Sequence, residues 1–279
     1  MRARFWGSRG SLASPGPDTV RTGGNTSCVE VRLDDGSLVI LDSGTGIRAL
    51  GATLDGTAPR RIDILLSHLH LDHLEGLGFF APLWDRTAQL HIWGPASPTR
   101  SLSDRISQYL SPPLFPVRLA EVPAHLELHD APYEPWMLGS ATIVARPIIH
   151  RGPTVGYRIE DGGRSLAYLT DHEPALSVDL SKVEPEWVSG FEVATGVDVL
   201  IHDCQYTEEE YPERAGFGHS STHHVADFAR LASARRLLLF HHDPNHSDDE
   251  LEALCERVRE LWSDGSVDLA REGEEILFG

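Results

Sequence analysis

The segment Ser67-His68-Leu69-His70-Leu71-Asp72-His73 sets four imidazole or carboxylate side chains within seven residues. The apolar run Ile62-Asp63-Ile64-Leu65-Leu66 precedes it and Leu74-Glu75-Gly76-Leu77 follows. It therefore reads as the loop where a buried strand hands over to a helix. His68 and His70 stand two apart, which in extended chain puts both rings on one face. Asp72 and His73 then turn the other way, so the four donors can surround more than one metal ion. Imidazole and carboxylate without thiolate suit zinc, manganese or iron rather than an iron–sulfur or structural cysteine site. A solvated histidine-rich turn is the plainer alternative. Four such residues directly after a buried strand argue against it.

Further donors recur just past apolar runs. His150 follows Ile148-Ile149, Asp171 follows Leu166-Ala167-Tyr168-Leu169-Thr170, and His241 follows Leu237-Leu238-Leu239-Phe240. Strand ends on one sheet edge bring sequence-distant residues together, and sites are commonly built there. One such residue alone reads as a satisfied edge residue. Three in a row point to a site.

The elements that must position these donors are readable from periodicity. Strands are expected at 2–6, 27–33, 37–42, 62–66, 89–93, 141–149, 154–160, 165–170, 197–202 and 236–240. Helices are expected near 46–54, 73–84, 99–110, 186–194 and 222–233. A last helix starts at Ser247, where Glu250 completes a capping box and Leu251, Leu254, Val258 and Leu261 line one face. Strand sets followed by helices predict an α/β fold of two packed sheets with helices outside. We expect one domain over 1–279, with a proline-punctuated insertion or lid at about 95–140.

Length and composition suit that reading. A chain of 279 residues can bury a large core, and 41% hydrophobic with 24% charged residues is ordinary for a globular protein. No apolar run approaches the roughly 20 residues of a membrane helix. The start, Met1-Arg2-Ala3-Arg4-Phe5-Trp6, lacks the apolar stretch of a signal peptide. Cys28, Cys204 and Cys255 are odd in number and widely spaced, which argues against a disulfide framework and for a cytoplasmic setting. The net charge is −18, with a single lysine, Lys182. Nucleic acids are held mainly through phosphate neutralisation, so the expected partner is a small molecule, with no long nucleic acid and no membrane; a homodimer is left open.

The donor series His68-x-His70-x-Asp72-His73, His150, Asp171 and His241 resembles the ligand series of the metallo-β-lactamase fold superfamily. Asp42, in the turn Asp42-Ser43-Gly44-Thr45-Gly46, matches that family's first motif, a carboxylate that orients ligating histidines. The resemblance implies a four-layer αββα sandwich of two mixed β-sheets. Within the superfamily, His150-Arg151-Gly152-Pro153-Thr154-Val155-Gly156-Tyr157, His202-Asp203 and Gly218-His219-Ser220-Ser221 are similar to the tRNase Z and phosphodiesterase branch. The opening Phe5-Trp6-Gly7-Ser8-Arg9-Gly10-Ser11 and Gly23-Gly24-Asn25-Thr26-Ser27-Cys28 resemble cyclic-nucleotide phosphodiesterase-like hydrolases. One departure stands out. Where tRNase Z carries its RNA-gripping arm, Tyr157 to Asp171 has room only for a hairpin.

Carried over residue by residue, the resemblance implies that His68, His70 and His150 hold one divalent ion and Asp72, His73 and His241 another, bridged by Asp171. Zinc is expected, with manganese or iron as alternatives. His241 is preferred over the adjacent His242 as the first residue past its strand. His219 hydrogen-bonded to Asp203 would protonate a leaving alkoxide, and Asp72 is counted with them as catalytic. Arg9 and Asn25 are candidates to touch the phosphate. The expected activity is hydrolysis of a small phosphodiester such as a cyclic nucleotide. A lactonase or thioesterase, or a non-catalytic binding module, are the rivals.

Overall fold

The computed structural model describes residues 1–54, 59–174, 176 and 178–278, and its strands form two seven-stranded mixed sheets. The first contains β1 (Arg2–Gly7), β2 (Cys28–Arg32), β3 (Leu38–Leu41), β4 (Arg61–Leu65), β5 (Gln89–Gly94) and β6 (His125–Asp130). The second contains β7 (Trp136–Leu138), β8 (Ala141–Pro147), β9 (Val155–Asp161), β10 (Arg164–Leu169), β11 (Val199–Asp203), β12 (Arg236–Phe240) and β13 (Ser266–Leu269). The last strand, β14 (Glu275–Leu277), returns to pair with β1 at the edge of the first sheet. The order is β14-β1-β2-β3-β4-β5-β6 in one sheet and β13-β12-β11-β10-β9-β8-β7 in the other.

Both sheets are antiparallel at one end and parallel at the other. In the first, β3, β4, β5 and β6 run parallel. In the second, β10, β11, β12 and β13 do. Parallel strands are covered on both faces, which is why Leu38–Leu41 and most of Arg236–Phe240 are apolar without alternation. Between the sheets lies one core, with Phe5, Val29, Val39 and Leu65 from one side and Ile143, Tyr157, Ile201 and Phe240 from the other.

The outer faces are closed by helices. Ile40, Ile62, Ile64 and Ile92 pack under α1 (Ile47–Thr53) and α2 (Leu102–Tyr109). On the other side α3 (Phe191–Ala194) precedes the short α4 (Tyr211–Arg214), and α5 (Thr222–Leu231) and α6 (Asp248–Leu261) cover Leu200, Leu237 and Leu239. The capping box of α6 forms as expected, Glu250 N–H donating to Ser247 Oγ and the Ser247 N–H to the Glu250 carboxylate. The architecture is the expected αββα sandwich.

Several elements differ from expectation. Residues 73–84 form no continuous helix but separate 3-10 turns at Leu71–His73, Leu77–Phe79 and Ala81–Trp84, because Gly76, Gly78 and Pro82 interrupt propagation. Only Phe191–Ala194 of the expected 186–194 helix is α-helical, and it begins after Gly190 at φ 78°. The stretch 95–140 supplies α2 and two edge strands, β6 and β7, one to each sheet. The expected unit spans 1–279, of which residues 55–58, 175, 177 and 279 lie outside those described.

Phe5 is fully buried between the sheets with its ring centroid 6.0 Å from that of Phe240. Phe5→Ala is expected to lower the unfolding free energy by about 3–5 kcal/mol, the range for deleting a buried aromatic ring. A shift of the denaturant midpoint at constant m-value reads it.

Candidate metal centre

The donors gather at the C-terminal ends of parallel strands from both sheets. Asp42 follows β3, Ser67 to His73 follow β4, Asp171 follows β10, and His241 follows β12. At three of these ends the chain enters the left-handed region, with φ 57° at Asp42, 49° at Asp171 and 56° at His241. Non-glycine residues rarely adopt it, and strained residues of this kind cluster at functional sites. The bend takes each side chain out of the strand's alternation and into the space between the sheets.

Two clusters result, sharing Asp171. Around Asp171 Oδ2, His68 Nε2 and His150 Nε2 each lie at 3.5 Å, and His150 Nε2 is 3.2 Å from His70 Nδ1. Around Asp171 Oδ1, His73 Nε2 stands at 3.0 Å and His241 Nε2 at 3.1 Å. Both rings also lie 3.2 Å from Asp72 Oδ2. An ion bound at about 2.0–2.1 Å by four tetrahedral ligands leaves them roughly 3.3–3.4 Å apart. The spacing therefore fits two ions with one oxygen of Asp171 for each.

The environment also calls for cations. His68 Nε2 is buried and has no hydrogen-bond partner among the described residues, a costly state for a polar atom that nothing occupies. Burial holds the pKa of His68, His70 and His150 below the usual histidine value, leaving neutral imidazoles ready to ligate. Burial would push the His73 pKa down too, but Asp171, Asp72 and Asp42 together raise it well above normal. Three buried carboxylates around one ring hold more negative charge than the chain neutralises there.

Partners behind the rings fix their tautomers. His73 Nδ1 donates to Asp42 Oδ2 at 2.7 Å, His150 Nδ1 to the Gly218 carbonyl at 2.8 Å, and His241 Nδ1 to Gln205 Oε1 at 3.0 Å. Each leaves Nε2 free to face the centre. Asp42 also accepts from the Ser67 N–H, the Ser67 hydroxyl and the Tyr168 hydroxyl. Gly10 must be glycine, since a β-carbon there would lie 2.3 Å from the His241 ring.

Beside the clusters, His219 stacks on His241 with centroids 5.0 Å apart and donates through Nδ1 to Asp203 Oδ2 at 2.7 Å. Burial opposes its charging, but the Asp203 carboxylate outweighs burial and raises the pKa to about 9. The other Asp203 oxygen accepts from the Gln205 N–H. Glu173 pins the loop before His219 by accepting from the N–H groups of Gly216 and Gly218.

The two arms of the adjacent histidine pair separate cleanly. His241 enters the second cluster, whereas His242 Nε2 meets the Ala270 carbonyl at 3.0 Å and burial lowers its pKa to about 3. Arg9 and Asn25 need correction as phosphate contacts. Arg9 is fully buried, donating to the carbonyls of Gly23, Asp243 and His246 and to Thr22 Oγ1. It straps the opening loop to the turn after His242. Asn25 donates to Glu272. Sequence reading missed Ser67, Gln205, Glu173 and Tyr168 as supports, since each acts through hydrogen bonds that no spacing announces. A further His91–Glu127–His129 group sits on β5 and β6.

A family model described as the β-lactamase superfamily domain matches residues 38–242. The chain is similar to ribonuclease Z of Haloarcula marismortui, 27% identical over 321 residues that cover 99% of this chain and 96% of that protein. Among solved structures it superposes on the short form of human tRNase Z with a TM-score of 0.66 at 21% identity, covering 100% of both chains. A diphosphatase of the PhnP family gives a TM-score of 0.69 at 22% identity, covering 100% of this chain and 98% of that one. At those identities the structures show the fold.

The similarity to ribonuclease Z corrects the exclusion of long nucleic acids. That inference rested on net charge and on the short hairpin between β9 and β10. Net charge sums the whole surface, whereas a phosphate backbone meets only the patch it touches, and an arm at one place is not the only means of grip. Among the described residues no helix is long and apolar enough to cross a membrane.

Metal content tests the geometry. Asp171→Ala is expected to lose most of both ions in elemental analysis of purified protein, where the unaltered chain is expected to carry close to two. Asp42→Asn keeps every donor yet disturbs the His73 tautomer, and should weaken affinity about 10–100-fold in a chelator competition.

Proposed function

The chain belongs to the β-lactamase superfamily, and from that premise we propose that it is a dinuclear metal-dependent phosphodiester hydrolase. The observation that carries this reading is the pair of donor clusters sharing Asp171, with His219 alongside and hydrogen-bonded to Asp203. His68, His70 and His150 would hold one ion, and Asp72, His73 and His241 the other, with Asp171 between them and Asp42 orienting His73. The donor chemistry suits zinc, with manganese or iron compatible. Divalent ions held there supply Lewis acidity, which lowers the pKa of a water and draws charge from a phosphoryl oxygen.

The protein's own groups do the rest. In hydrolysis a water oxygen bonds phosphorus and the P–O bond to the leaving alcohol breaks. That alcohol needs a proton as its bond weakens, and His219, stacked beside the donors and hydrogen-bonded to Asp203, is the group placed to give it. Asp203 keeps the proton-bearing Nδ1 engaged, so Nε2 is the atom that delivers. A thiolate leaves without such help, which weighs against a thioester as substrate.

Small phosphodiesters, cyclic nucleotides among them, are the substrates we infer. An RNA end is the second reading, favoured by the similarity to ribonuclease Z along nearly the whole chain. Residues 1–279 act as one unit in this account, because the donors come from both sheets. The buried free thiols Cys28, Cys204 and Cys255 suit the reducing cytoplasm.

Leaving-group dependence separates the acid from the ions. A nitrophenolate departs unaided, whereas a ribose alkoxide does not. His219→Ala should cost about 10²–10⁴-fold on a ribose-leaving diester and far less on bis(p-nitrophenyl) phosphate, with metal content unchanged. Asp203→Asn should show the same selectivity more mildly. Equal losses on both substrates would make His219 a positioning residue.

A further inference from the structure

We propose that the cavity opening beside His219 is a second anion-binding subsite, one that takes a phosphate carried by the leaving alcohol. The inference rests on the phosphodiester reading and extends it to substrate class. The cavity has a volume of about 380 Å³, within the range of small-ligand sites. It begins where the donor clusters end. Ser11, in its wall, donates its N–H to Asp72 Oδ2 at 2.7 Å, and Gln205 meets His241 Nδ1 at 3.0 Å. Because His219 lines the same space, on the phosphodiester reading an occupant would lie beside the leaving oxygen. That is the leaving-group side.

Its charge is opposite to that of the molecule. In a chain of net charge −18 with one lysine, this cavity is lined by two arginines, Arg151 and Arg214, against Asp243 as the single carboxylate. Asp243 is already engaged, its Oδ1 by the Asn245 N–H and side-chain amide and its Oδ2 by Gln205 at 3.3 Å. At 3.7 Å it steadies Arg214 without closing the guanidinium fork. Among the described residues no carboxylate pairs with Arg151, whose Nε donates to the Gly216 carbonyl while its terminal nitrogens stay free.

Both arginines lie beside aromatic rings. Arg151 lies 5.1 Å from the Phe217 ring centroid and Arg214 lies 5.2 Å from that of Tyr206. Arg151 keeps its terminal nitrogens open among the described residues, and an open guanidinium edge grips phosphate with two bonds at once. Two arginines on a wall shared with His219 match a leaving nucleoside that bears its own phosphate. The phosphate could sit at the 5′ or the 3′ position of that nucleoside, and the same arginines would serve either.

Two measurements decide it. With metal-loaded enzyme, the dinucleotides pApA and ApAp place the extra phosphate on the nucleoside that leaves by its 3′ or its 5′ oxygen, and ApA carries none. One of the two phosphorylated dinucleotides should exceed ApA in kcat/KM roughly tenfold to a hundredfold, as charge-assisted hydrogen bonds provide. In Arg151→Ala/Arg214→Ala that ratio should fall to near one. With metal-free protein, calorimetry should find 5′-AMP or 3′-AMP bound at least tenfold more tightly than adenosine, and the double variant should lose the difference. Equal kcat/KM for all three dinucleotides, or a preference that survives loss of both arginines, overturns the subsite. A binding preference for the nucleotide without hydrolysis of ApA or bis(p-nitrophenyl) phosphate would instead keep the subsite and overturn the phosphodiester reading.

Discussion

The buried carboxylate of Asp42 is the constraint on which the rest of the molecule depends. It is fully buried, and it accepts from His73 Nδ1, the Ser67 N–H, the Ser67 hydroxyl and the Tyr168 hydroxyl. A carboxylate in such surroundings is tolerable only when its lone pairs are satisfied. The donors that satisfy it come from the loop after β4, the turn at Leu71–His73, and β10 of the opposite sheet. The hydrogen bonds that keep Asp42 buried thus tie the two sheets together, and they also aim His73 at the centre. Fold and site share one polar anchor.

From that anchor the remaining placement follows. Each sheet ends its parallel strands on the same edge, so carboxylates and imidazoles separated by up to 199 positions, Asp42 to His241, converge there. Left-handed backbone at Asp42, Asp171 and His241 spends conformational energy to swing those side chains inward. The stacked ring of His219 then continues the row past the donors, and the cavity with Arg151 and Arg214 continues it further. Charge changes sign along this path, from excess carboxylate at the clusters to excess cation where a leaving group would sit.

Much of this is legible in the sequence. Ser67 to His73 and the donors at 150, 171 and 241 announce themselves by residue type directly after apolar runs, and the αββα layering follows from the strand and helix rhythm. What stayed hidden has physical reasons. The strands β6, β7, β13 and β14 lie at sheet edges, where short half-exposed segments carry weak patterns, and prolines from 95 to 140 masked two of them. Arg9 in a glycine-rich loop looks like a phosphate grip. Only the fold reveals that its donors meet carbonyls at 243 and 246, more than two hundred residues away. His241 and His242 are told apart by a backbone reversal that breaks strand alternation. Net charge, in turn, says nothing of where cations gather, and Arg151 and Arg214 face one cavity despite the acidic total.

The central claim is that two ions share Asp171 between the two histidine clusters. Anomalous diffraction at the zinc edge, on crystals of protein loaded with zinc, tests it most directly. Two peaks roughly 3.5–4 Å apart are expected, one among His68, His70 and His150 and the other among Asp72, His73 and His241, with Asp171 between them. A single peak in that space, or zinc found only at His91, Glu127 and His129, would contradict it.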